Sequence, residues 1–258
     1  MGVSNKLRLD GKVAIITGGA GFLGRRHAKA IAEAGGIPVI WDLNKKIGMS
    51  VDITQSESIT AGLKAVLRQF KKVDILINNA ANNPAVVKGE SSGKSRLENF
   101  TLDMWNKDIS VGLTGAFLCS KIVGSYLSTH GGGVILNVAS DLGVIAPDQR
   151  IYRKTGLKEK DQPVKPVSYS VVKHGILGLT KYLATYWAHK NIRVNSISPA
   201  GVYRDQPQDF VKKLSNLIPM GRMAKSDEYE AAIVFLVSDA SKYMTGQNLI
   251  MDGGRSVW

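Results

Sequence analysis

The chain is short of cysteine, of acid and of long apolar runs. Its 258 residues contain one cysteine, Cys119, so the sequence offers no intrachain disulfide. Within Phe117-Leu118-Cys119-Ser120 the thiol reads as a small buried hydrophobe. No uninterrupted apolar run reaches the ~18–20 residues that cross a bilayer, so no membrane partner is expected. Residues 1–10 are polar and lack the apolar segment of a secretory signal, which points to a reducing cytoplasm. Acidic residues number 21 against 34 Lys and Arg, a formal net charge of +13. Such a balance first suggests nucleic-acid binding. However, no basic run is interleaved with aromatics and the cations are dispersed, so no nucleic-acid partner is expected. Two readings remain: an unspecialised soluble surface, or attraction of anionic small molecules, and a basic loop described below favours the second. There are no repeats, no low-complexity tracts and no dividing linker. With 44% hydrophobic content, residues 1–258 can bury a single α/β core. No metal site is read.

Short Val/Ile/Leu runs alternate with helix-length amphipathic stretches. Strands are expected at 12–17, 37–42, 49–52, 73–78, 134–139, 192–197 and 247–251, and helices at 22–34, 56–70, 102–129, 168–189 and 227–238. The pattern predicts a doubly wound, Rossmann-like parallel sheet of seven strands with helices on both faces. Asp42 to Val51 is too short to carry a helix and reads as a turn, and 147–166, polar, basic and flanked by prolines, reads as an excursion.

Two constellations carry chemistry. Tyr169 and Lys173 lie four residues apart in Ser168-Tyr169-Ser170-Val171-Val172-Lys173, on one face of a helix at that spacing. A cation beside a phenol stabilises the phenolate and lets it act as a base below its usual pKa of ~10. The other is Thr17-Gly18-Gly19-Ala20-Gly21-Phe22-Leu23-Gly24, a glycine turn between an apolar strand and a helix, where a dinucleotide pyrophosphate would lie. About twenty residues on, Val39-Ile40-Trp41-Asp42 ends the next strand in an acid, which accepts hydrogen bonds from ribose hydroxyls and repels a 2′-phosphate. Asp42 therefore argues for NAD over NADP, against the plainer reading of a strand-end Asp.

These motifs, with three others in order, resemble the compact branch of the short-chain dehydrogenase/reductase family along nearly the whole chain. The others are Asn78-Asn79-Ala80-Ala81, Asn137-Val138-Ala139-Ser140, and Arg193-Val194-Asn195-Ser196-Ile197-Ser198-Pro199, with Gly246 to Gly254 closing the pattern. The resemblance implies an NAD-dependent alcohol/ketone oxidoreductase. In it Tyr169 would be the acid/base, Lys173 would lower the tyrosine pKa and hold the nicotinamide ribose, and Ser140 would bind the reacting oxygen. Gly18, Gly21, Phe22, Leu23 and Gly24 would form the pyrophosphate turn, Asp52 and Ile53 would bound the adenine, Asn79 and Ala80 would fix backbone near the cofactor, and Pro199 and Val202 would lie by the nicotinamide. The chain departs from the pattern at Gly112, where the family has a relay Asn, at Phe22, where it has a second glycine, and at Arg204, where a Thr often stands.

Ser140 and Tyr169 are 29 residues apart, more than twice the usual family gap. The stretch between them holds Arg150, Arg153, Lys154, Lys158, Lys160 and Lys165. It reads either as solvated surface or as an electropositive lid whose Arg150, Arg153 and Lys154 engage an anionic, polyhydroxylated substrate. Together with the short stretch after Asp42 and the segment from Ser198 to Pro207, it resembles a subgroup named for flagellin modification, associated with surface-sugar synthesis, which would imply a sugar phosphate or activated sugar. The rival reading is a protein of this kind that binds NAD without turnover. The family also implies a homodimer or homotetramer built on the helices at 102–129 and 168–189, with Val257-Trp258 at a second contact.

Overall fold

The computed structural model describes residues 2–82 and 93–258. In chain order the elements are α1 (Val3–Lys6), β1 (Val13–Thr17), α2 (Phe22–Glu33), β2 (Ile37–Asp42), β3 (Met49–Ser50), α3 (Ser56–Phe70), β4 (Ile75–Asn78), α4 (Leu102–Ile109), α5 (Gly115–Thr129), β5 (Gly133–Val138), α6 (Val167–Trp187), β6 (Ile192–Pro199), α7 (Gln208–Ser215), α8 (Glu230–Val237) and β7 (Asn248–Met251). All seven strands pair in parallel, in the order β3-β2-β1-β4-β5-β6-β7. Every residue of β1 and β4 is buried, as apolar runs covered on both faces require. One core cluster, around Trp41, Ile59, Leu127 and Trp187, lies under α3, α5 and α6. A second, around Ile31, Tyr229 and Ile233, lies under α2 and α8. Chain order reverses between β1 and β4, so a crevice opens at the carboxyl ends of the strands there.

Several local details depart from the sequence expectation. The helix expected at 102–129 is α4, a π turn at Ser110–Thr114, and α5. Thr101 caps α4 by accepting from the Met104 amide. Gly112, inside the π turn, lets Val172 of α6 close onto the helix, since a Cβ there would sit 2.5 Å from Val172 Cγ1. Leu102–Thr129 has the length and mean hydropathy, 1.3, of a membrane span, yet Cys119, Val123 and Leu127 are buried in the core. The strand expected at 49–52 shortens to two residues, because Asp52 turns the chain by accepting from both the amide and the hydroxyl of Thr54. The excursion at 147–166 contains two 3-10 turns, Gln149–Tyr152 and Glu159–Asp161. Ile151 fastens it to Leu214, Ile218 and Met223, and Gln162 bonds Lys154 and Leu157 across it. Helix α7 was not anticipated.

His27 of α2 is buried and its ring nitrogens have no hydrogen-bond partner among the described residues. Desolvation pushes its pKa down to about 4, against a pull upward from Asn79. The folded chain thus keeps His27 neutral while the unfolded chain takes up a proton near the usual value of ~6.5. Stability is present in full above that value and falls as pH drops towards 4, by roughly 3 kcal/mol over the window. Urea denaturation at pH 7 and at pH 4.5 should show that loss, and His27→Leu should flatten it. An equal slope in the variant would mean that His27 is not its source.

Candidate active site

The crevice forms a cavity of about 800 Å3. Its wall includes Gly18, Gly21, Phe22, Leu23, Gly24, Asp42, Asp52, Ile53, Asn79, Ala80, Ser140, Tyr169, Lys173, Pro199 and Val202, so the structure brings together every residue expected at the cofactor and the reaction centre. They come from the carboxyl ends of β1 to β6, from the first turn of α2 and from the first two turns of α6.

On one side stands the glycine turn. Gly18 has φ +61, and a Cβ on it would fall 2.8 Å from Ala80 Cα. A Cβ on Gly24 would strike the Gly18 carbonyl, so glycine lets α2 close onto the turn. Thr17 Oγ1 accepts from the amides of Asn79 and Ala80, and Asn79 Nδ2 donates to the carbonyls of Thr17 and Gly18. Asp42 Oδ2 accepts from the Ala20 amide at 3.0 Å. No side chain caps the N-terminus of α2, whose amides are open to an anion. The two departures at Phe22 and Arg204 meet: the guanidinium lies 4.9 Å over the Phe22 ring, across the cavity mouth.

On the other side are Ser140, Tyr169 and Lys173. Lys173 is buried and donates to the Val138 carbonyl at 2.8 Å. Burial, and then repulsion from Lys165, brings its pKa down to about 8. Tyr169 behaves differently from the sequence expectation. Burial pushes the phenol up to about 12; the Ser140 hydroxyl pulls it down and Asp141 pushes it up. Lys173 Nζ lies 5.8 Å from the ring centroid. Lys165 is nearer, with Nζ 3.6 Å over the ring, and its own pKa falls to about 8 through burial, against attraction to Asp141 and Asp108. A buried polar ladder supports the region: Asn78 donates to Ser120 and Asn137, and Asn137 donates to Thr180 of α6.

The structure does not bring Arg150, Arg153 and Lys154 to the cavity. Arg150, 82% exposed, pairs with Asp148 at 2.7 Å, and Arg153 pairs with Glu159. Lys154 is exposed, and its amide donates to Gln162. Acids within the same loop neutralise its outer arginines, so the lid assigned to them loses its basis. Of the basic residues in this loop, Lys165 lines the cavity, and Arg255, from near the end of the chain, joins it there. Arg255 was missed by sequence reasoning, as was its partner Asp141; Nη1 and Oδ2 lie 2.6 Å apart. Asp141 Oδ1 also accepts from Ser140 Oγ at 2.8 Å. Lys165 carried a signal, being set between Val164 and Pro166.

Residues 12–153 match a family model described as short chain dehydrogenase, and residues 159–256 match one described as enoyl-(acyl carrier protein) reductase. The chain is 34% identical to a D-threitol dehydrogenase from Mycolicibacterium smegmatis, over 100% of this chain and 97% of that one. It is 31% identical to an NAD-dependent glycerol dehydrogenase from Listeria innocua, over 99% and 98%. A gluconate 5-dehydrogenase from Burkholderia cenocepacia, solved with NADP and tartrate, superposes with a TM-score of 0.84 at 25% identity over the full length of both chains.

Gly112 gives a direct test of how the site is assembled. Gly112→Asn, which installs the relay residue, should cost about 1–3 kcal/mol by driving a side chain into Val172. Val172→Ala in the same chain should recover part of the loss. Chemical denaturation of both variants checks this, and an undiminished midpoint in Gly112→Asn would contradict the packing account.

Proposed function

Since the chain belongs to the short-chain dehydrogenase/reductase family, we propose that it interconverts a secondary alcohol and a ketone on a polyhydroxylated, anionic small molecule, with NAD as its cofactor. One observation carries the reading: Ser140, Tyr169 and Lys173 converge on the cavity that the glycine turn also lines. Bound there, the nicotinamide would accept or supply the hydride. The chain's own residues handle the proton and the charge. Ser140 holds the reacting oxygen, oriented by Asp141, and Tyr169 exchanges the hydroxyl proton. Lys173 keeps a positive charge behind the phenol and reaches the ribose. A phenol raised to about 12 rests protonated, so its work as a base needs more positive charge nearby than the free protein provides.

Asp42 supports NAD: one oxygen secures the turn at Ala20, and the carboxylate stays on the cavity wall where a 2′-phosphate would be repelled. Lys165, Lys173 and Arg255 outnumber Asp141 on the substrate side, which supports an anionic substrate. The names of the relatives favour a free polyol or its acid; the surface-sugar resemblance favours a sugar phosphate or activated sugar. Gly112 and the raised phenol are what the rival reading, NAD binding without turnover, rests on. Phe117, Val171, Tyr182 and Tyr186 expose apolar surface on α5 and α6, which supports assembly into a homodimer or homotetramer in the cytoplasm.

Tyr169→Phe should abolish NADH formation, by at least a thousandfold in kcat, and leave the NAD dissociation constant within threefold, because the ring stays and the proton carrier goes. A variant with most of its kcat would remove Tyr169 from the reaction. Asp42→Ala should narrow the NAD over NADP preference by tenfold or more in calorimetric titrations. Equal binding of the two dinucleotides by the unaltered protein would overturn the placement of Asp42 at the ribose.

A further inference from the structure

Asp141 joins Ser140 to a residue near the far end of the chain. Its Oδ1 accepts from Ser140 Oγ at 2.8 Å, and its Oδ2 accepts from Arg255 Nη1 at 2.6 Å. Both members of the ion pair are buried, with side chains 6% and 4% exposed. A buried pair contributes little net stability, because desolvating two charges offsets their attraction. What distinguishes this one is its position on the cavity wall beside Ser140, Tyr152 and Tyr169. A guanidinium carries five N–H donors in one plane. Among the described residues the side chain makes one bond, that to Asp141. Nε and Nη2 are not among the fully buried atoms left unpaired, so on this lining residue they keep access to the open cavity and can meet an acceptor there.

Three features specify that acceptor. The free edge of the guanidinium is a planar fork, which matches a carboxylate through two parallel hydrogen bonds. Arg255 and Asp141 cancel in charge, and Lys165, over the Tyr169 ring, adds a positive charge to the same wall. With Lys173 behind the phenol, the wall carries net positive charge and suits an anion rather than a neutral group. Two hydrogen bonds and one carboxylate separate Nη1 from Ser140 Oγ, roughly 8 Å at most. An anion on Arg255 therefore lies within a few carbons of the carbon whose oxygen Ser140 holds.

The geometry points to Arg255 as the anchor for a substrate carboxylate, so that the substrate is a polyhydroxy carboxylate, a sugar acid, rather than a neutral polyol. This rests on Ser140 and Tyr169 being the reaction centre. Oxidation removes a hydride from the carbinol carbon and a proton from its hydroxyl and leaves the carboxylate unchanged, so the anchor holds substrate and ketone product alike.

The test uses two variants. Arg255→Lys keeps the charge and loses the fork. Asp141→Asn with Arg255→Gln removes both charges, so no buried ion is stranded. For each, kcat/KM is measured with gluconate, sorbitol and sorbitol 6-phosphate, and tartrate binding to the NAD-loaded protein is measured by calorimetry. The unaltered protein should bind tartrate and should prefer gluconate to both other compounds by tenfold or more. In each variant the gluconate-to-sorbitol ratio should fall at least tenfold, through KM, and tartrate binding should be lost. An unaltered protein that prefers sorbitol or its phosphate, or variants that keep the ratio, would overturn the anchor. If no compound is turned over, tartrate binding decides: its loss in the variants keeps the anchor and sinks the reaction reading, and its persistence sinks the anchor. Calorimetric NAD binding reports whether the double variant is folded, and Arg255→Lys carries the test if it is not.

Discussion

The buried ammonium of Lys173, held 2.8 Å from the Val138 carbonyl, fixes how α6 lies against the end of β5. Tyr169 sits one turn earlier on the same helix, so anchoring Lys173 sets the depth of the phenol. The approach is close. A Cβ on Gly143, in the turn that follows Ser140, would lie 2.7 Å from the Lys173 carbonyl, and only glycine at 112 makes room for Val172. At the start of the helix, Ser168 donates to Asp108 of α4, which also accepts from Asn82. Lateral packing, the buried Lys173 bond and this bond to α4 together leave Tyr169 little freedom to move.

That docking has an electrostatic consequence. Burying Tyr169, Lys165 and Lys173 in one wall disfavours the charged form of each, which raises the phenol and lowers both lysines. The free protein thus holds a protonated phenol beside two lysines that lose their protons near pH 8. The glycine side is arranged in the opposite way: backbone amides and the α2 N-terminus offer partial positive charge without titrating. The two halves are complementary, one fixed in charge and one able to change it.

Most of the fold was legible in the sequence because a parallel sheet covered on both faces leaves a strong apolar signal. The strand at 37–42 and the helix at 56–70 agree residue for residue with β2 and α3. The glycine turn and the Tyr169/Lys173 pair were legible because each is a local pattern with one physical purpose. Other parts depend on contacts between distant segments. The π turn at Ser110–Thr114 leaves no periodic trace, and Gly112 within it packs against Val172, sixty residues on. Asp141 and Arg255 are 114 residues apart, and neither stands out from the charged residues around it. The outer arginines of the loop misled because a count of basic residues ignores pairing: Asp148 and Glu159 hold Arg150 and Arg153 away from the cavity.

The central claim is that Tyr169 is a buried phenol whose acidity depends on the positive charge brought beside it. Labelling tyrosine with 13C at the ring carbon bearing oxygen, and assigning the Tyr169 signal through Tyr169→Phe, lets its titration be followed by NMR with and without saturating NAD. The account predicts a phenol that titrates near 12 in the free protein and at lower pH with the oxidised cofactor bound. A signal that titrates near 10 in the free protein, or that does not move when NAD binds, would contradict it.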